Sequence, residues 1–343
     1  MFNILYIGEN NVKSTSAHRA NALKRLGNNL NILNPYHLIP NNFFLKKFHY
    51  YTGYSFLQSK VYSWLKMSLL EVKDCDLIWV NSGELLGEKC LKFLKIKNVP
   101  IILYNNDDPT GGRDGNRFLS LLKAIPYYDL CVVMRKINVY EFEKLGAKKV
   151  LRVQMSYDEV AHKNIGKIPI KFCSEIAFIG TWMRNEKRDE FLMVLINNNL
   201  PVSIWGNRWE KSLYWEKLKP YYRGKALEGQ DYVSAIQGAK ICLGLLSKGN
   251  RDLHTTRSLE IPYAKGLLCA ERTSEHLEMY KDGIEAVFWD DVEECIIKCK
   301  DLLQNTTKIE AIKENGFQRV LSNKKGNEDM CAKILEYLIF LNK

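Results

Sequence analysis

The sequence has no G-x-G-x-x-G run, so its first strand-to-helix turn carries no dinucleotide fingerprint. No apolar run approaches the roughly 18 residues of a membrane span. Nine cysteines are present, an odd number, scattered and mostly inside apolar runs. That argues against a disulfide-framed secreted domain and fits a reducing compartment, where cysteine packs as a small core residue. Cys295 and Cys299 stand at helical i, i+4 spacing, but no histidine or second cysteine pair nearby completes a zinc set. No metal and no cofactor is therefore expected. The chain opens directly on an apolar strand pattern, Phe2 to Gly8, rather than on a leader, and a cytoplasmic, soluble protein is the expectation. No Arg-rich arm or wholly basic helix appears, so charge alone does not select DNA.

What is present is an excess of positive charge. Lys and Arg number 50 against 39 Asp and Glu, a net +11. That balance favours anionic partners: nucleotides, nucleic acid, or the anionic inner face of a membrane at which the protein would sit peripherally. At 343 residues the chain exceeds one ordinary core. With 46% hydrophobic and 26% charged residues, both halves can be globular.

The apolar pattern alternates strand and helix throughout. Asn3 to Gly8 reads as a strand, Ala17 to Leu26 as a helix stopped at Gly27, and Leu30 to Leu33 as the next strand. Further strands follow at Asp76–Val80, Pro100–Tyr104, Asp129–Val133 and Lys149–Val153. The pattern then restarts at Glu175–Ile179, closed by Gly180-Thr181, and continues with Pro201–Trp205, closed by Gly206. Strands at Ile241–Leu246, Leu267–Ala270 and Ala286–Trp289 and a last helix at Glu328–Leu341 complete it. The fold class is α/β: two doubly wound, Rossmann-like domains facing across a cleft. The first spans 1–165, with the C-terminal helix 328–343 crossing back onto it. The second spans 172–325, after a polar linker at 156–169.

Open α/β sheets bind ligands where strands hand over to helices. In the first domain that places His18, as a base or sugar contact or simply a surface cap residue. It also places the Asp107-Asp108-Pro109 loop, whose acids either bind acceptor hydroxyls or form a turn. Residues 41–70 are aromatic and basic, and packing of an irregular insertion is the favoured reading over an acceptor-binding or membrane-facing surface. In the second domain the loop after Thr181 holds Arg184, Lys187 and Arg188 ahead of a helix.

Arg251 to Glu271 concentrates the chemistry. A polar loop with Asp252, His254, Thr255, Thr256 and Arg257 feeds a helix start, where free N–H groups and the positive dipole end suit a phosphate. Glu260, one turn on, could take the two hydroxyls of a ribose. A capped helix with a surface glutamate is the plain alternative.

Taken together these residues resemble the GT-B glycosyltransferases, and within them the CgeB-like group related to retaining family-four enzymes. The resemblance is carried by Phe178-Ile179-Gly180-Thr181 with Arg188, Trp205-Gly206, Thr256-x-x-Leu259-Glu260-Ile261-Pro262-Tyr263-Ala264-x-Gly266, and Tyr280-x-Asp282-Gly283. It covers Ser174 to Asp291 best. The retaining enzymes have a Glu-x7-Glu motif; Glu260 matches its second residue, and Asp252 stands where the first would be. The resemblance implies transfer of a sugar from a nucleotide-diphosphate sugar to an acceptor hydroxyl, with retention and without metal. Glu260 would bind the ribose and Asp252 would face the transferred sugar. Arg188, with Arg184 or Lys187, would neutralise the leaving diphosphate, and Thr255, Thr256 and Arg257 would supply donors to the same phosphates. Gly180, Thr181, Gly206 and His254 would line the donor site, and His18 and Asp107 or Asp108 would serve the acceptor side. The acceptor would be a surface glycan, a lipid-linked sugar or a protein. A modified DNA base, or a non-catalytic sugar-nucleotide-binding role, is the alternative.

Overall fold

A computed structural model describes residues 1–72 and 74–341. By contact the chain forms two units: residues 1–154 joined by 327–343, and residues 155–326.

Unit 1 contains β1 (Asn3–Ile7), α1 (Thr15–Arg25), β2 (Asn29–Leu33), α2 (Phe43–Tyr51), α3 (Gln58–Ser68), β3 (Leu77–Asn81), α4 (Glu88–Leu94), β4 (Ile101–Asn105), α5 (Leu119–Ala124), β5 (Leu130–Val133), α6 (Lys136–Lys144) and β6 (Val150–Arg152). Its six strands run parallel in the order β2-β1-β3-β4-β5-β6. The central strands β3 and β4 are apolar at nearly every position because helices cover both faces, and every residue in them is buried. The edge strand β2 alternates and stays partly exposed. The Ser14 side chain accepts from Ala17 N and starts α1 two residues earlier than the apolar pattern implies.

Unit 2 contains β7 (Ser174–Ile179), α7 (Arg188–Asn197), β8 (Val202–Trp205), α8 (Trp215–Leu218), β9 (Tyr222–Gly224), α9 (Gly229–Gly238), β10 (Ala239–Gly244), α10 (Arg257–Tyr263), β11 (Leu268–Glu271), α11 (Ser274–Met279), β12 (Val287–Trp289), α12 (Val292–Leu303) and α13 (Thr306–Ser322). Its six parallel strands run β12-β11-β10-β7-β8-β9. Chain order reverses between β7 and β10. That switch point opens a crevice at the carboxyl ends of the strands.

Three features depart from the sequence reading. The stretch 156–169, expected as a linker, belongs to unit 2: Ile165 N donates to Gln237 Oε1 at 2.8 Å and Tyr263 OH to Glu159 O at 2.8 Å. Residues 155–165 therefore do not lie in the first domain. Helix α13 is present where the apolar pattern gives no helix, since its buried positions are only Ile309, Ile312, Gly316 and Val320. The aromatics of 41–70 do not all pack inward; α2 leaves most of its rings exposed. The last helix, α14 (Asn327–Leu341), packs on α1 within unit 1, where Arg25 pairs with Glu328. Among the described residues no helix is long and apolar enough to cross a membrane.

Candidate functional site

In unit 2 the loops leaving β7 and β10 meet at the switch point. Arg188, the first residue of α7, is buried and donates from Nη1 to Thr181 O at 3.0 Å and from Nη2 to Leu246 O at 3.3 Å. Glu186 answers from the same loop. Its carboxylate accepts from Lys248 N at 2.8 Å, Ser247 Oγ at 3.2 Å and Gly249 N at 3.3 Å. Glu271, at the end of β11, accepts from Leu246 N at 3.0 Å. The sequence reading assigned Arg188 to a diphosphate. The structure commits its two terminal nitrogens to carbonyls, so it acts first as a clamp between loops. Arg184 is exposed in the turn ahead of it.

Gly180 and Gly206 end β7 and β8 side by side. A Cβ on Gly206 would stand 1.9 Å from Gly180 O, and its φ of +153° also favours glycine. Trp209 Nε1 donates to that same oxygen at 2.9 Å. The pair read as ligand-lining is thus also a close strand contact that permits no side chain.

The loop 252–258 rests on α11. His254 is buried, with Nδ1 2.5 Å from Glu275 Oε2 and Nε2 accepting from Met155 N at 2.9 Å. Because Nε2 accepts, the ring proton sits on Nδ1 toward Glu275. Both nitrogens are engaged within the protein, so His254, expected to line the donor site, fixes the loop from inside. Thr273 Oγ1 donates to Leu253 O at 2.6 Å. Thr255 N donates to Ser258 Oγ at 3.0 Å, and Ser258 Oγ lies 2.8 Å from His276 Nε2. His276 Nδ1 is 2.7 Å from Glu271 O, a carbonyl that can only accept. His276 therefore carries its proton on Nδ1, and the Ser258 hydroxyl donates to Nε2. Burial pushes the His276 pKa down to about 4. Asp252 is buried at the head of this loop, its N–H directed at Ser247 O at 3.4 Å. Thr256 precedes α10, and its carbonyl accepts from Glu260 N at 2.8 Å.

Glu260 lies on α10 and is buried. Its Oε2 accepts from Tyr232 OH at 2.6 Å, and its Oε1 stands 3.7 Å from His162 Nε2. His162 Nδ1 accepts from Asp158 N at 2.9 Å, which leaves the ring proton on Nε2, facing the carboxylate. Burial, reinforced by the Glu260 charge, pushes the Tyr232 hydroxyl well above its usual pKa and keeps it a donor. Arg257, one turn before Glu260, has a buried Nε that meets no hydrogen-bond partner among the described residues. A carboxylate with two lone pairs per oxygen, still able to accept, thus stands beside a guanidinium with an unused donor. Tyr232 and His162 carry no signal in the sequence, because each is brought in from a distant segment, and Glu186, though beside Arg188 in the chain, is marked only by its distant partners Ser247, Lys248 and Gly249.

Unit 1 gathers a second set at its strand ends. Arg19 is buried, donates to Asn81 Oδ1 at 2.6 Å and lies 3.6 Å over the Tyr104 ring. His18, beside it in α1, is half-buried. Asp108 does not present itself as expected: it is buried in the loop and accepts from Asn138 Nδ2 at 2.7 Å. Asp107 is the more open acid, 3.5 Å from Arg117 Nη2. Arg117 also binds Glu84 at 2.5 Å and Asp114 at 3.4 Å, and Tyr50 OH donates to Asp114 at 3.0 Å. Burial pushes the Glu84 carboxyl up despite the adjacent guanidinium. Glu84 and Arg117 carried no motif in the sequence.

A third cysteine joins the pair read from sequence. The sulfurs of Cys269, Cys295 and Cys299 lie within 4.8 Å of one another, all buried in the apolar core of unit 2. Three soft ligands could hold a thiophilic ion.

Residues 186–335 match the sequence profile of a family described as glycosyl transferase-like. No curated protein sequence matches the chain. Among solved structures, sucrose-phosphate synthase of Thermosynechococcus elongatus aligns with a TM-score of 0.71 at 10% identity, covering 100% of both chains. Anabaena HepE in complex with UDP-glucose aligns with a TM-score of 0.66 at 12% identity, over 98% of this chain and 99% of that one. The α,α-trehalose 6-phosphate synthase of Burkholderia multivorans aligns with a TM-score of 0.65 at 12% identity, over 99% of each. At such identities the likeness is one of fold, and the fold is that of the GT-B glycosyltransferases.

Proposed function

We propose that this chain transfers a sugar from a nucleotide-diphosphate sugar to an acceptor hydroxyl, and that unit 2 binds the donor at the β7/β10 switch point. The observation that carries the reading is the pairing of Glu260, held by Tyr232, with the unused buried donor of Arg257 one turn away. A ribose presents two hydroxyls that a carboxylate can accept. A diphosphate presents oxygens that a guanidinium can bind. The glycosyl transferase-like profile covers both residues, and the similarly folded HepE is described in complex with UDP-glucose.

In this reading the bond between the sugar's anomeric carbon and the diphosphate breaks, and a bond from that carbon to the acceptor oxygen forms. The acceptor proton passes to a diphosphate oxygen. Arg257 and the N–H groups entering α10 stabilise the charge that develops on the leaving diphosphate. Arg188 and Glu186 act as positioning residues that hold the two loops. Asp252 faces the transferred sugar. The transfer proceeds with retention and without metal, protein cations serving where a metal otherwise would. The acceptor, a glycan, lipid-linked sugar or protein, is bound through the polar strand ends of unit 1.

The test is a thermal-shift screen with UDP, GDP, TDP and CMP and their sugars. A ligand at 100 times its Kd adds about 2.7 kcal/mol of stability. The expected result is a clear shift with one nucleotide family, lost in both Glu260→Ala and Arg257→Ala. No shift with any of them, or a shift that both variants retain, overturns the proposal.

A further inference from the structure

Helix α2 is built inside out. Its one fully buried side chain is His49, while Phe43, Phe44, Leu45, Phe48 and Tyr51 are exposed. Phe56, in the turn that follows, is 69% exposed and lies against Phe48 at 5.1 Å between centroids. A soluble surface tolerates single apolar residues, but a contiguous group of large rings marks a contact face. The helix presenting them is firmly held. Asn42 Oδ1 accepts from Phe44 N and Leu45 N, Tyr50 OH donates to Asp114, and Ser120 Oγ donates to Gly53 O at 2.5 Å. The corner at Gly53 fits so closely that a Cβ would come within 2.3 Å of Asn116 O.

The segment that carries this face is charged with one sign only. From Asn10 to Leu70 the sequence contains no Asp or Glu, and it carries eight Lys and Arg; elsewhere 42 cations stand against 39 acids. Most of the net +11 therefore lies in this one stretch. Lys46 and Lys47 are exposed between the phenylalanines, and Lys60 and Lys66 are exposed on the adjoining α3.

We propose that α2 and the turn through Phe56 dock the protein on an anionic lipid bilayer. The rings would enter the boundary between headgroups and acyl chains, and the lysines would meet lipid phosphates. The occupant must be apolar and anionic at once. A second copy of this chain is a poor fit, because a two-fold contact would set the same acid-free face against itself. The proposal does not rest on the identity of the donor or of the reaction.

The full-length protein is mixed with vesicles of phosphatidylcholine alone or with 30% phosphatidylglycerol, and bound protein is separated by flotation. The expected result is flotation with the anionic vesicles only, weakened by salt. Lys46→Ser with Lys47→Ser should lower partitioning roughly thirtyfold, at about one tenfold-or-less step per lysine. Phe43→Ser, Phe44→Ser and Phe48→Ser together should lower it on the order of a hundredfold or more. These side chains are exposed, so an unchanged thermal melt identifies variants that still fold. Absence of flotation, binding that ignores the phenylalanine substitutions, a concentration-dependent dimer that those substitutions dissolve, or oligonucleotide binding without vesicle binding would each overturn the proposal.

Discussion

Pro262 sits inside α10 and lacks the N–H that would bond the carbonyl of Ser258. The buried Tyr280 hydroxyl replaces it, donating to Ser258 O at 2.8 Å. This one bond lets the helix that carries Arg257 and Glu260 tolerate its proline. Tyr280→Phe removes the donor and leaves a buried carbonyl unsatisfied, so we expect a loss of about 1–3 kcal/mol in urea unfolding with little change in the slope. A stability unchanged within a few tenths would show that another donor reaches the carbonyl. Glu260 was legible from its place one turn past a polar, basic loop and from the resemblance to the retaining enzymes, both of which lie along the chain. Its partners Tyr232 and His162 were not legible, because nothing local relates α9 or the segment after β6 to α10. Arg117 is an intermediate case: Asp107 and Asp114 lie in its own loop between β4 and α5, but Glu84 comes from the loop after β3, and nothing along the chain relates the two.

The loop 252–258 was readable as polar and basic, but what it rests on was not. Its arginines and threonines suggested a seat for a phosphate; the structure turns His254 inward and seats the loop on Glu275 and His276 of α11. His276 makes this seat sensitive to pH. Its folded-state pKa of about 4 lies below the ordinary 6.5, so the unfolded chain binds a proton more readily than the folded one. Stability from this group is complete above pH 6.5 and is lost as pH falls toward 4, by up to about 3 kcal/mol. The raised carboxyl of Glu84 acts in the opposite sense, so the wild-type curve is a sum. Unfolding free energies measured at pH 7, 5.5 and 4.5 should show a steeper decline for the wild type than for His276→Gln. The variant itself should be less stable at pH 7, since glutamine cannot reproduce the bonds to Ser258 and Glu271. Parallel declines would mean that His276 is protonated in the folded protein. Helix α13 shows the complementary limit of sequence reading. Its closest packing is at Gly316, where a Cβ would meet Glu285 O at 2.4 Å, and glycine adds nothing to an apolar pattern.

Across the whole molecule, the two parallel sheets were legible apart from the polar edge strand β9, because strands buried on both faces appear as short continuous apolar runs. The division of the chain was less so. Polar composition suggested a linker at 156–169, but backbone and side-chain hydrogen bonds tie that segment to unit 2. The chain passes from unit 1 to unit 2 near residue 154 and returns near 327, so α14 completes a unit whose other elements are all at the opposite end of the sequence. Helix α14 buries Met330, Cys331, Ile334, Leu335 and Leu338. At about 1.5–3 kcal/mol for each large apolar side chain, their removal is comparable to the roughly 5–15 kcal/mol that stabilises an ordinary domain. It also uncovers the face of α1 against which they pack. A chain ending at residue 326 should therefore lose unit 1 while unit 2 keeps its own core. In limited proteolysis, cleavage should fall throughout residues 1–154 and leave a protected fragment beginning near residue 155. That fragment should still bind whichever nucleotide stabilises the full-length protein, because Arg257, Glu260, Tyr232 and His162 all belong to it. Protection of 1–154 in the shortened chain would mean that unit 1 does not depend on α14.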